Sequence, residues 1–320
     1  MSKPNIVVLD GFDLNNGDLS WSDLHLCGEV TIHQHSEKNQ VIDRCRNYDY
    51  VVSNKVILGR SELEKLPKLK GIFVSATGYN NIDTTTARRL NIDVCNVQGY
   101  GSSAVAQHVF GLILQISNRV AVHNQAVKIG EWSKINRWSF WKEPTIELKN
   151  KTMGIVGYGK IGKRVAMLAQ AFEMNVVVST RTKIAEPMGQ VQEVAFDELL
   201  MRSDIISLNA PLTDVTSGIM NRSAFIRMKE TAMLINTSRG GLIVEEDLYE
   251  ALSQGLIGYA GLDVLNDEPP RVDNSLLTLD NCIVTPHMAW VSKDTRSRLL
   301  NEVVKNIRHH IEGRPINVVN

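Results

Sequence analysis

Residues 152–162 read Thr152-Met153-Gly154-Ile155-Val156-Gly157-Tyr158-Gly159-Lys160-Ile161-Gly162, an apolar run that ends in a G-x-G-x-x-G pattern. A helix-forming stretch, Lys163 to Ala171, follows it, and a second apolar run, Val176-Val177-Val178, comes next. Strand, tight turn and helix in that order give each glycine a task. The first permits the turn, the second lets a diphosphate approach the backbone, and the third lets the helix pack closely on the strand. Amides exposed at the helix N-terminus then bind the anion. Gly157, Tyr158, Gly159, Lys160, Ile161 and Gly162 therefore read as a dinucleotide phosphate loop.

In both directions from this loop, short apolar runs alternate with helix-like segments, the pattern of parallel α/β units. Downstream strands are expected at Ile205-Ile206-Ser207-Leu208, Met233-Leu234-Ile235-Asn236, Ala260-Gly261-Leu262-Asp263 and Cys282-Ile283-Val284. Upstream they are expected at Ile6-Val7-Val8-Leu9, Tyr50-Val51-Val52, Gly71-Ile72-Phe73-Val74 and Asp93 to Val97. Crossover helices fit Glu37 to Asn47 and Glu62 to Leu66. A chain of 320 residues exceeds one typical core. The expected fold is α/β, with two parallel-sheet domains, a cleft between them, and the first domain discontinuous: 1–101 with 288–320, and 102–287. The amphipathic helix at Thr295 to Ile311 should pack back onto the first domain.

A long helix is expected from Ser103 to Val120, apolar around most of its cylinder, which suggests burial at a junction and a homodimer contact. The aromatic-rich segment Trp132 to Trp141 fits neither period and reads as a packed loop or arm.

The 35 basic and 35 acidic residues cancel, which argues against a general attraction to nucleic acid or anionic lipid. No apolar segment approaches the roughly 18 residues needed to span a bilayer, and Ile6-Val7-Val8-Leu9 is too short for a signal peptide. Cys27, Cys45, Cys95 and Cys282 form no ligand cluster, so no metal site is expected. A cytoplasmic location is the expectation.

A strand that receives the adenosine ribose of NAD ends in an acid about 20 residues beyond the glycines. Here it ends Val178-Ser179-Thr180-Arg181-Thr182-Lys183, with no carboxylate. Hydroxyls and cations suit a 2′-phosphate, so NADP(H) is favoured and NAD(H) remains possible.

Three later segments place polar groups just past an apolar strand: Asn236-Thr237-Ser238-Arg239-Gly240-Gly241, Asp263-Val264-Leu265-Asn266-Asp267-Glu268-Pro269 and Thr285-Pro286-His287-Met288-Ala289-Trp290. Reduction of a ketone by hydride develops negative charge on oxygen, which needs a proton and an electrostatic partner. Imidazoles as a class titrate near neutrality, and a carboxylate beside one favours its protonated form and holds the ring. A guanidinium offers a planar fork to carboxylate and carbonyl oxygens. Arg239, Glu268 and His287 are therefore the candidate catalytic group.

With GYGKIG, NTSRGG, GLDVLNDEPP, TPHMAW and the 102–108 segment SSAVAQH, the chain resembles the D-isomer-specific 2-hydroxyacid dehydrogenases over essentially its full length. AWV after His287, Gln107 and the opening VVLDGFDLNNGDLSW resemble the glycerate dehydrogenase (hydroxypyruvate reductase) branch in particular. The resemblance implies two Rossmann-like domains, substrate-binding for 1–101 with 288–320 and dinucleotide-binding for 102–287. It implies reduction of a small 2-keto acid, hydroxypyruvate to D-glycerate, with the reverse oxidation. It assigns the catalytic roles to Arg239, Glu268 and His287, with Arg239 and His287 also touching substrate. Cofactor contacts fall to Ser179, Thr180, Arg181, Thr182, Pro211, Thr237 and Asp263. Amides around Ala76, Thr77 and Gly78 would hold the substrate carboxylate. Thr180 departs from the acid many relatives carry there. Glyoxylate reductase, or another D-2-hydroxyacid dehydrogenase, is the alternative within this class. A dinucleotide-regulated, corepressor-like binding protein is the alternative outside it, disfavoured by the absence of a basic patch or long disordered tail.

Overall fold

Runs rich in valine and isoleucine form parallel strands when helices cover both faces of their sheet, so no polar alternation is needed. The computed structural model of the chain, which describes residues 3–185 and 189–320, holds two such sheets. The chain divides into two compact units, Met1–Gly101 with Trp290–Asn320, and Ser102–Ala289.

In the first unit, β1 (Asn5–Val8), β2 (Glu29–Ile32), β3 (Tyr50–Ser53), β4 (Gly71–Val74) and β5 (Asp93–Cys95) pair in parallel, in the order β2-β1-β3-β4-β5. Successive side chains enter opposite cores, as the strand period of two requires. Ile6, Val8, Val52 and Phe73 pack with Leu299, Val303 and Ile307 of the helix Lys293–Ile311. Val7, Val51, Ile72 and Val94 pack with Val41, Leu63, Leu66 and Ala87 on the other side. The last helix thus completes the first core, and Leu299→Ala would cost about 2–5 kcal/mol. Its Arg296 also grips both carboxylate oxygens of Asp18 at 2.7 Å.

In the second unit, β6 (Thr152–Val156), β7 (Asn175–Ser179), β8 (Val191–Glu193), β9 (Ile205–Leu208), β10 (Met233–Asn236), β11 (Tyr259–Leu262) and β12 (Cys282–Val284) form a parallel sheet. Its order is β12-β11-β10-β9-β6-β7-β8. Succession reverses at β6, which lies between β7 and β9. Open α/β sheets bind ligands beyond the carboxyl ends of strands at such a reversal.

Several elements differ from the sequence expectation. β2 and β8 went unrecognised because both are short, polar edge strands. The strand expected at Asp93 to Val97 ends at Cys95, since Asn96 and Val97 turn to other partners described below. The long helix runs Ser102–Asn118. Its apolar face is satisfied inside its own unit, where Val109, Ile113 and Ile116 meet Ile155, Val165 and Ile235. Ser103, Gln107, Gly111 and Asn118 are exposed. The segment expected to be a packed aromatic loop begins as a helix, Glu131–Ile135. Trp132 lies 6.5 Å from the Phe140 ring and donates to Arg137 O at 2.8 Å, but Trp138 is 94 % and Trp141 69 % exposed. Exposed apolar side chains therefore gather after the long helix, on Val120, Val127, Ile129 and these tryptophans.

Candidate active site

The glycine loop lies at the end of β6, where the sheet reverses. Gly157 adopts φ +91°, and a Cβ there would stand 2.8 Å from the backbone of Asn209 and Ala210. A Cβ on Gly162 would strike the Gly157 carbonyl, whereas one on Gly159 would enter open space. The turn is closed on its inner side and open at the glycine that precedes the helix Lys160–Ala171. The first intrahelical bond runs from the Lys163 amide to the Gly159 carbonyl, so the amides before it have no helical acceptor. An outward-facing, amide-rich concavity at a helix start fits a dinucleotide diphosphate. Gly157 N donates to Ser179 O at 2.8 Å, placing the end of β7 beside the turn. Ser179 and Thr180 are half-buried, and Arg181, Thr182 and Lys183 are exposed. Tyr158 is buried, with Lys163 Nζ 5.8 Å from its ring centre. Pro211 and Thr237 follow β9 and β10, and Ser238 Oγ donates to Ala210 O at 2.7 Å, tying these two loops together.

The three candidate catalytic residues follow three adjacent strands, β10, β11 and β12, at their carboxyl ends. His287 and Glu268 meet directly, with Nδ1 to Oε2 at 2.6 Å. Their side chains are 23 % and 35 % exposed, so the pair is partly shielded yet reachable. Glu268 Oε1 accepts from the Leu265 amide at 3.3 Å, and Glu268-Pro269 is a cis peptide. His287 has φ +51°, an uncommon conformation for a residue with a Cβ, found where surroundings over-determine the backbone. Arg239 is half-buried, and its Nη1 donates to Ser238 O at 2.7 Å. A Cβ on Gly240 would overlap the Leu265 carbonyl group. Only glycine lets the backbone beside Arg239 press against the loop that carries Glu268.

Asp263 supplies the constraint on His287. Its backbone carbonyl accepts from the His287 amide at 2.8 Å. Its carboxylate accepts from the Met288 and Ala289 amides at 2.9 and 2.8 Å and from Thr285 Oγ1 at 2.6 Å. His108 Nε2 lies 3.4 Å from the same carboxylate and 3.0 Å from Thr285 Oγ1. Burial at 1 % exposure would raise the Asp263 carboxyl, but these donors outweigh it and hold the group below the ordinary carboxylate range. The sequence had suggested only a cofactor contact for Asp263. Its contacts show a post around which residues 285–289 are wrapped. The link from His108 was not legible, because 177 residues separate it from Thr285.

In the first unit, the Ala76-Thr77-Gly78 turn continues β4. Ala76 and Gly78 are half-buried and Thr77 exposed. Among the described residues, the amides of these three donate no hydrogen bond. Also among the described residues, no group of three or more His, Cys, Asp or Glu side chains could hold a metal ion, and no helix is long and apolar enough to cross a membrane.

Known proteins are similar to this chain in sequence and in fold. The sequence profile of the D-isomer specific 2-hydroxyacid dehydrogenase NAD binding domain matches residues 110–289. A hydroxypyruvate reductase of Blautia hydrogenotrophica is 42 % identical, with 98 % of this chain and 99 % of that one aligned. A glycerate dehydrogenase of Methylorubrum extorquens is 36 % identical over 88 % of each chain. Among solved structures, an acyclic imino acid reductase in complex with NADPH and D-Arg superposes with a TM-score of 0.85, at 29 % identity, over 99 % of this chain and 100 % of that one. The chain is a member of the D-isomer-specific 2-hydroxyacid dehydrogenases.

Proposed function

We propose that the chain reduces small 2-keto acids, hydroxypyruvate to D-glycerate foremost, and catalyses the reverse oxidation. The observation that carries this reading is the 2.6 Å contact between His287 Nδ1 and Glu268 Oε2. That bond fixes the ring through one nitrogen and leaves Nε2 to serve the substrate oxygen. When bound, the reduced nicotinamide supplies the hydride for the carbonyl carbon. His287 Nε2 gives its proton to the carbonyl oxygen, and the imidazole left behind keeps its Nδ1–H on Glu268. Arg239 holds the substrate's carboxylate and carbonyl oxygens and stabilises the charge that grows there. The amides of the Ala76-Thr77-Gly78 turn receive the carboxylate. Asp263 acts by holding residues 287–289, in addition to any contact with the coenzyme amide.

The unit Ser102–Ala289 is the dinucleotide-binding part of this proposal, with Gly157–Gly162, Pro211 and Thr237 lining the coenzyme site. NADP(H) is favoured over NAD(H), because Ser179, Thr180, Arg181, Thr182 and Lys183 offer hydroxyls and cations and no carboxylate. Homodimerisation is proposed through the exposed apolar side chains of 120–141, since exposed apolar surface gathered in one segment marks contact sites. A species that sediments as a monomer at micromolar concentration would contradict it. Four free cysteines, three of them buried, fit a reducing cytoplasm.

A steady-state assay tests the catalytic reading, following reduced-coenzyme loss with hydroxypyruvate, glyoxylate and pyruvate. Hydroxypyruvate should give the highest kcat/KM, with NADPH ahead of NADH. Preference for glyoxylate would move the substrate assignment to the alternative reductase. Coenzyme binding without turnover of any keto acid would overturn the reading.

A further inference from the structure

Among the described residues the amides of the turn after β4 donate no hydrogen bond, yet nothing in its own sequence explains why. The explanation lies in two buried asparagines. Asn96, 1 % exposed, donates from Nδ2 to the Thr77 carbonyl at 2.8 Å. The Val97 amide donates to the Ala76 carbonyl at 3.0 Å. On the opposite side of β4, Asn54, 3 % exposed, donates from Nδ2 to the Ser75 carbonyl at 2.7 Å. Three successive carbonyls are thereby fixed.

A trans peptide is planar, so an amide N–H points opposite to the carbonyl before it. Because Val97 and Asn96, just past β5, hold the Ala76 and Thr77 carbonyls, the Thr77 and Gly78 N–H groups both turn away from that segment. Two consecutive amides facing one way form an anion cradle without any cationic side chain. We infer that Asn96 is a positioning residue that clamps the Thr77 carbonyl and so aims the Gly78 amide, beside the Thr77 amide set by Val97, at the substrate carboxylate, while Asn54 steadies the start of the turn through the Ser75 carbonyl. This rests on the proposal that this turn receives that carboxylate.

Two further observations support the clamp. Among the described residues, the Oδ1 atoms of both Asn54 and Asn96 are buried and have no hydrogen-bond partner. A buried acceptor left unmet is unfavourable, so each side chain is retained for its donor. Rotating either amide would place oxygen against a carbonyl oxygen, which fixes the orientation seen. The clamps are also anchored. Asp10 accepts from the Asn54, Lys55 and Val56 amides at 2.8, 2.6 and 3.2 Å. Asn306 Nδ2 donates to Asn96 O at 3.0 Å, Asn317 Nδ2 to Asn306 Oδ1 at 2.8 Å, and the Asn96 amide to Asn317 O at 3.2 Å. The returning C-terminal segment thus serves the turn after β4 by gripping Asn96.

The test compares Asn96→Ala, Asn96→Asp, Asn54→Ala and Gly78→Pro in the full-length protein. It measures hydroxypyruvate KM, kcat and the NADPH dissociation constant. Asn96→Ala should raise the keto-acid KM about tenfold or more, since small misplacement of substrate-positioning groups is costly. NADPH affinity should stay within about twofold, because the coenzyme loop belongs to the other unit. Asn96→Asp keeps the shape but loses the donor while ionised; its KM should rise similarly and recover toward low pH, when the new carboxyl can donate again. Asn54→Ala should act in the same direction, more weakly, and serves if Asn96→Ala does not fold. Gly78→Pro deletes one cradle amide and should raise KM with both asparagines in place. A raised KM in Gly78→Pro beside an unchanged KM in the asparagine variants would overturn the clamp alone. An unchanged KM in Gly78→Pro would overturn the carboxylate reading and the clamp with it.

Discussion

The two sheets put the same architectural feature, the carboxyl ends of parallel strands, to different chemical use. After β10, β11 and β12, the loops present charged side chains: Arg239, Glu268 and His287, with His287 held 2.6 Å from Glu268. After β4, the turn carries no charged side chain at 76–78, and asparagines donate to its carbonyls. The difference follows from the work proposed for each. A proton must leave and return at one place, which needs a titratable ring. A carboxylate that keeps its charge needs only fixed donors, and an amide cannot lose its proton at the wrong moment.

The sharpest break of this comparison is His287→Gln. It should lower kcat by about 10²–10⁴-fold, the range for a positioned acid–base group, and leave NADPH binding unchanged in a fluorescence titration. Retention of most of the rate would shift the proton transfer away from the β12 loop. Arg239→Lys comes next, with a loss of about 10–100-fold in kcat/KM, as expected when a charge-assisted bond is removed. An equal rate in the lysine form would show that a point charge suffices. Arg181→Ala should raise the NADPH KM about tenfold and leave that for NADH unaltered; parallel changes with both coenzymes would remove Arg181 from phosphate recognition.

The smallest effect concerns pH and separates the two units. Burial pushes His310 below the ordinary imidazole value, against the pull of Asp93. Above about pH 6.5 both folded and unfolded forms are neutral, and stability is intact. As pH falls below that value the unfolded chain takes up a proton that folded His310 resists, so the first unit loses stability. Asp263 behaves oppositely: its folded carboxyl is lowered, so its contribution is full above the ordinary carboxylate value of about 3.9 and is lost only in stronger acid. Melting temperature should therefore fall between about pH 7 and about pH 5.5, and His310→Gln should flatten that fall. An identical slope in the variant would remove His310 as its cause.

What the sequence revealed and concealed follows the same division. GYGKIG, NTSRGG and TPHMAW carry side chains or glycines whose chemistry is local, so the roles proposed for them could be put forward from the chain alone. The nearly continuous apolar runs of the central strands were equally plain. The edge strands Glu29–Ile32 and Val191–Glu193 were not, because a polar edge lacks the core's signature. Asn54 and Asn96 were invisible because a side chain that serves a distant carbonyl leaves no periodic trace. Nothing around His108 in the sequence points to Asp263 and Thr285; its place beside them depends on the sheet that brings residues 177 positions apart together. The tryptophans misled in the other direction: clustered aromatics suggest packing, yet Trp138 and Trp141 stand in the open.

The most direct test of the account is a single-turnover experiment. Protein saturated with NADPH is mixed with hydroxypyruvate, and coenzyme oxidation and product chirality are followed for the natural chain beside His287→Gln. Rapid oxidation with formation of D-glycerate in the natural chain, and none on the same timescale in the variant that still binds NADPH, is the predicted result. Coenzyme that stays reduced in the natural chain, or equal rates in both proteins, would contradict it.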